Sequence, residues 1–220
     1  MVDIHTSYLI CGVQRSGSFL LCEALKNTGL AGVPEEYFLG PESYIANWEN
    51  GEWARQNGAA TRQDFLRLVL EKGSTPNGVC GAKLMWNCFA EVMRKLGEMH
   101  EYQGLPETAR FGAVFPNLHY IWIVRRDRLR QAVSWARAAQ TRIYAWNGGE
   151  PPAPGKEPHF DFTFIDNLHR LVREGEADWQ AYFQACGATP FKVVYEELVE
   201  NYEGTALAIL DFLGCPIQRN

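Results

Sequence analysis

Apolar residues follow two alternating rhythms along this chain. Short apolar runs that end at glycine or at charge predict buried strands over 8–13 (YLICGV), 78–86 (GVCGAKLMW), 117–124 (NLHYIWIV) and 191–195 (FKVVY). The third is the clearest, β-branched and aromatic, stopping abruptly at Arg125-Arg126-Asp127. Between the strands, apolar positions recur at helical spacing. Phe19, Leu20, Leu21, Ala24 and Leu25 mark a helix over 18–25, with Gly29 as its stop. Thr61-Arg-Gln-Asp64 reads as the cap of a second helix carrying Phe65, Leu68 and Val69. Further helices are expected over 89–100, 127–141, 164–185 and 202–213. The stretch NGGEPPAPGKEP (147–158) has the residues of an exposed loop.

Strands that alternate with helices imply an α/β fold, a mainly parallel sheet covered on both faces. No repeat or long linker divides the chain, so residues 1–220 read as one domain.

Composition adds exclusions. With 46% hydrophobic and 21% charged residues, the chain is ordinary for a globular protein. A formal net charge of −5 argues against general binding to nucleic acid or anionic membrane. The densest local basic stretch is Arg125, Arg126, Arg128 and Arg130. No apolar run approaches the roughly 20 residues of a membrane span, and the opening MVDIHTS lacks the n- and h-regions of a secretory signal. A cytoplasmic protein is the expectation. The six cysteines form no CxxC pair and sit mostly in apolar segments, as reduced buried thiols do. The five histidines lie away from them, which disfavours zinc.

The candidate chemistry begins at YLICGVQRSGSFLLCEAL. Gly12 and Gly17 keep the spacing of a Walker phosphate loop, but Ser18-Phe19 stands where that loop has Lys-[Ser/Thr]. The helix N-terminus can still hold a phosphate, while magnesium and γ-phosphate chemistry are poorly served. The cation has moved to Arg15. This suits a ligand with a phosphate and a second anionic group, used without a metal; an activated sulfate donor fits. A plain glycine–serine turn joining strand to helix is the alternative. A second anion site is expected from Arg125 after the third strand and Ser134 two turns into the next helix. A solvated basic helix face is the alternative there. Both sites fall at the carboxyl ends of strands, where open α/β sheets bind ligands.

Together with TGLAGVPEEYF, TPNGVCGAKLMWN, RRDRLRQAVSWARAAQTR and YEELVENYEGTALAILDFLG, the segment QRSGSFLL resembles the sulfotransferases that use 3′-phosphoadenosine 5′-phosphosulfate (PAPS). The resemblance is strongest to the bacterial trehalose 2-sulfotransferase family. It implies a P-loop-like three-layer domain and transfer of a sulfuryl group to a hydroxyl of a carbohydrate or glycolipid. It places Arg15, Ser16, Gly17 and Ser18 at the donor's 5′-phosphate, with Phe19 also among the donor-binding residues, and Arg125 with Ser134 at the 3′-phosphate, with Arg126 competing for that role. The family's base falls on Glu36 of GVPEEYF, beside a second carboxylate, Glu35. Lys83 in GAKLMW is a secondary electrostatic group. Trp48 and Trp53, in NWENGEWARQNG, are expected to offer exposed rings to a sugar acceptor. Homodimerisation would fit the resemblance. The chain ends at Asn220, before the charged, Trp-rich C-terminal segment expected of the family. Two further readings stay open, a catalytically silent nucleotide-binding module and a P-loop kinase.

Overall fold

A computed structural model describes residues 3–39, 48, 51–144 and 157–215. Four strands, β1 (Thr6–Gly12), β2 (Val79–Met85), β3 (Leu118–Val124) and β4 (Phe191–Val194), form one sheet in the order β2-β1-β3-β4, and every pairing is parallel. The helices are α1 (Ser18–Asn27), α2 (Glu52–Gln56), α3 (Arg62–Lys72), α4 (Trp86–Gly97), α5 (Glu107–Val114), α6 (Arg128–Thr141), α7 (Phe162–Cys186), α8 (Tyr195–Glu200) and α9 (Tyr202–Phe212).

The strand alternation explains the layers. On β1, Leu9 and Cys11 pack with Phe65 of α3, Val92 of α4, Phe111 of α5 and Trp179 of α7. Tyr8 and Ile10 face the other way, onto Leu21 and Leu25 of α1 and Ile209 and Leu210 of α9. Because both faces are covered, all seven β1 residues are buried, which is why its sequence is nearly continuously apolar. The fold is thus the three-layer α/β arrangement that the sequence predicts.

Local signals also hold. Thr61 accepts from the Asp64 N–H while the Asp64 carboxylate takes the Thr61 N–H, a complete capping box for α3. Asp127 caps α6 through the Arg130 N–H at 2.9 Å. Three helices are additional to those read from the sequence. The five residues of α2 bury Ala54 alone, and α5 buries just Phe111 and Val114, too little apolar repetition to read as periodic. The last strand stops at Val194 rather than Tyr195, which already starts α8, with Glu196 and Glu197 suited to a helix N-terminus. Most of the loop expected at 147–158 lies outside the described residues.

From the central strand β1 the chain crosses to β2 on one side, and β3 lies on the other. The carboxyl ends of β1 and β3 are therefore neighbours where the connections diverge, the crevice such sheets use for ligands.

Candidate active site

Residues 13–17 carry the chain from β1 into α1. The Ser16 N–H donates to the Val13 carbonyl at 3.2 Å, and both Arg15 (φ 65°) and Gly17 (φ 94°) are left-handed. Gly17 is required twice over: its backbone favours glycine, and a Cβ there would lie 2.2 Å from Cδ2 of Tyr195. No side chain caps the N-terminus of α1, so its first amides remain open to an acceptor. At the other end of the loop, Trp179 donates its indole N–H to the Gly12 carbonyl at 3.0 Å, tying the end of β1 to α7.

Two guanidinium groups converge beside this loop. Arg15 Nε donates to Ser134 Oγ at 3.1 Å, and its terminal nitrogen donates to the Tyr144 carbonyl. Burial, then the nearby positive charge of Arg125, pulls the Arg15 pKa down, although an arginine stays charged at neutral pH. Arg125 stands 4.6 Å from the centroid of the Tyr195 ring, the ring that packs on Gly17. Its nearest carboxylate, Glu196, is 3.9 Å away, and its buried Nε has no hydrogen-bond partner. Ser16 Oγ is likewise buried and unpartnered. Two crowded cations and two unsatisfied polar atoms fit an anion with several acceptor oxygens.

Arg126 is turned elsewhere. Its guanidinium donates to Glu197 at 2.6 Å and its side chain is 64% exposed. The carboxylate of Glu196 accepts from the Arg126 and Asp127 N–H groups at 3.0 and 3.3 Å. Burial raises the pKa of Glu196, but these backbone donors and its own N–H outweigh burial and hold it below the usual range. Glu196 thereby fixes the turn that presents Arg125.

On the other side of β1, Lys83 of β2 lies 2.9 Å from Glu36. Burial draws the Lys83 ammonium down, yet the Glu36 charge and its hydrogen bond help raise it overall above its ordinary value. The neighbouring carboxylate is separated by its partner: Glu35 is bonded to Lys26 at 2.5 Å, and its carbonyl accepts from the Lys83 N–H at 2.9 Å. The strand end abuts the loop, since Met85 pairs with Gly12 and its sulfur accepts from Ser18 Oγ at 3.9 Å. That contact turns the Ser18 hydroxyl toward Met85, leaving its backbone amide as its contribution to the loop. Phe19 is 37% exposed in the first turn of α1.

The tryptophans correct an expectation. Trp48 is only 1% exposed, its ring 5.1 Å from Phe65 and 5.9 Å from Phe38, so it offers no open face. The polar residues around it in sequence conceal a core contact made through space. Trp53 is half-buried, edge-on to Phe65 and 5.5 Å from Tyr37. Sequence reasoning also missed Tyr195 and Glu196. Their signal was the abrupt aromatic-acidic end of the last strand, but their partners Gly17 and Arg125 are distant in the sequence.

Among the described residues no helix is long and apolar enough to cross a membrane, and no cluster of three or more His, Cys, Asp or Glu is placed to hold a metal ion.

Residues 7–220 match the family described as Stf0 sulphotransferase. The chain is 30% identical over 229 residues to the trehalose 2-sulfotransferase of Mycobacterium tuberculosis (strain Erdman), covering 94% of this chain and 84% of that protein. It is 31% identical over 236 residues to the trehalose 2-sulfotransferase of Mycolicibacterium smegmatis, covering 97% and 86%. Among solved structures, the sulfotransferase domain from the Synechococcus PCC 7002 olefin synthase matches with a TM-score of 0.50 at 15% identity, over 99% of this chain and 76% of that one. The last is a likeness of fold.

Proposed function

The chain belongs to the Stf0 sulphotransferase family, and from that premise we propose that it moves a sulfuryl group from PAPS to a hydroxyl of a carbohydrate or glycolipid, with Glu36 as general base. The observation that carries this reading is the convergence of Arg15 and Arg125 on a phosphate loop that lacks the Walker lysine. A sugar acceptor is supported by the two trehalose 2-sulfotransferase relatives.

The residues present fit such a donor. Ser16 Oγ and Arg125 Nε are buried polar atoms without protein partners, as expected where a phosphorylated ligand supplies the missing acceptors. The open amides at the start of α1, with Arg15, would hold the 5′-phosphate. Arg125 would take the 3′-phosphate, with Tyr195 keeping its guanidinium in place. When bound, the donor supplies the sulfuryl group and a leaving phosphate that departs in line with the attacking oxygen. Arg15 and the loop amides neutralise charge on the leaving side. Glu36 accepts the proton of the acceptor hydroxyl, and Lys83 holds that carboxylate in position.

The test is calorimetric titration with 3′-phosphoadenosine 5′-phosphate, beside ATP with magnesium, followed by transfer of labelled sulfate from PAPS to trehalose and to glycolipids. Micromolar binding of the first nucleotide with label in a sugar is the expected result. Binding of ATP–magnesium alone would overturn the reading in favour of a kinase. Nucleotide binding without transfer to any hydroxyl would point instead to a silent binding module.

A further inference from the structure

A second opening lies on the α7 side of the sheet, at its β4 edge. It is a cavity of about 520 Å³, lined in part by Trp122, Arg125, Arg128, Arg173, Glu176 and Lys192. That volume is within the usual range for a small-molecule site, about 300–1,000 Å³. Arg125 and Arg126, from the turn after β3, both reach it.

The polar groups of this cavity are incompletely matched. Glu176 is 7% exposed; one carboxylate oxygen takes Arg128 Nε at 2.7 Å, while the other, Oε1, is buried without a partner. The indole N–H of Trp122 and Nε of Arg125 are buried and unpartnered too. Residues that line the cavity thus carry two donors and one acceptor without partners, Arg125 Nε being shared with the phosphate-loop site, and each is costly to leave unsatisfied. A hydroxyl both donates and accepts, so it can answer Glu176 and Trp122, which a simple anion without a proton cannot. Around these groups the charge is cationic: Arg125, Arg128, Arg173 and Lys192 face a single carboxylate, in a chain whose net charge is −5. Lys192 Nζ sits 5.0 Å from the Trp122 ring centroid, a cation–π contact between two lining residues. Burial raises the Glu176 carboxyl above its ordinary range against the pull of Arg128, consistent with an oxygen awaiting a donor.

We infer that this cleft is a second binding site, for a hydroxylated anion: the sulfate or phosphate ester of a sugar. Its hydroxyls meet Glu176 and Trp122, and its ester group meets the arginines and Lys192. The inference rests on the cavity and does not depend on sulfuryl transfer; Arg125 is shared with the proposed donor site, whereas Trp122, Arg128, Arg173, Glu176 and Lys192 are separate from it.

The experiment is calorimetric titration of the whole chain with glucose 6-sulfate, glucose 6-phosphate, glucose and sodium sulfate. Both esters should bind, with glucose and sulfate at least about tenfold weaker, the scale of one charge-assisted hydrogen bond. The tighter ester tells whether sulfate or phosphate esters are the natural source. Arg173→Gln combined with Lys192→Gln, at two exposed positions whose loss leaves the fold intact, should weaken ester binding by about tenfold or more. Trp122→Phe should weaken the esters without changing the response to sulfate. Arg15→Ala should leave ester binding unchanged. Failure of both esters to bind, sulfate binding as tightly as either ester, indifference to the double substitution, or loss of binding in Arg15→Ala would each overturn the inference.

Discussion

Lys83 Nζ stands 2.9 Å from Glu36 Oε2, the lysine 8% exposed on a buried strand and the glutamate on the connection that runs beside it. A base held this way keeps its position through an ion pair to a side chain on a buried strand. Glu36→Gln should therefore lower kcat by about 10²–10⁴-fold, the usual worth of a general base. Affinity for 3′-phosphoadenosine 5′-phosphate should be nearly unchanged, because Arg15, Arg125 and the loop amides are untouched. Steady-state kinetics and calorimetry on one preparation separate the two effects. Retained turnover would sink the assignment of Glu36.

The same pair sets a pH dependence. The Lys83 pKa is raised above its ordinary 10.5 in the folded chain. The stability this contributes is fully present below 10.5 and is lost as pH rises through the folded value. Lys83→Met should cost about 2 kcal/mol at neutral pH, less than the 3–5 of a wholly buried pair, since Glu36 is 25% exposed. The gap between the variant and the parent chain should narrow above pH 10.5. Urea unfolding across that range measures it; a gap that widened with pH would contradict the pairing.

The two successive arginines should separate clearly. Arg125→Gln removes a half-buried guanidinium next to Arg15 and should weaken 3′-phosphoadenosine 5′-phosphate by about 10–100-fold, as loss of hydrogen bonds to a charged group does. Arg126→Gln removes an exposed ion pair to Glu197, and such pairs contribute about 0–1 kcal/mol. Its nucleotide affinity should stay within about fivefold of the parent, the equivalent of that energy. The reverse order would move the 3′-phosphate to Arg126.

Much of the architecture was legible because it is local. The two strands β1 and β2 bury both faces and so read as apolar runs, and the α3 cap is written in four consecutive residues, Thr61 to Asp64. The phosphate loop was legible for the same reason, a strand, two glycines and a helix in sequence. The rest depends on distance along the chain. Arg15 meets Ser134 across 119 positions, and Glu196 reaches the Arg126 N–H across 70. Trp48 misled because its neighbours in sequence are polar while its neighbours in space are Phe38 and Phe65. Glu35 and Glu36 are adjacent and chemically alike; only the lysine each one meets distinguishes them.

Gly17 joins the loop to its distant support, and it yields the sharpest steric prediction. Alanine there must adopt φ +94° and place its Cβ 2.2 Å from Cδ2 of Tyr195. The left-handed backbone alone costs about 1–3 kcal/mol for a non-glycine residue. The clash adds to it, because the Tyr195 ring cannot retreat freely while Arg125 is held against it. Gly17→Ala should therefore lose stability and nucleotide affinity together. Adding Tyr195→Ala removes the clash but not the strain, and it also frees Arg125 from its ring. The double variant should recover part of the stability and none of the affinity. Urea unfolding with calorimetry reads both quantities. Full recovery of affinity in the double variant would show that the Tyr195 ring does not hold Arg125 for the ligand, and that Gly17 matters for space alone.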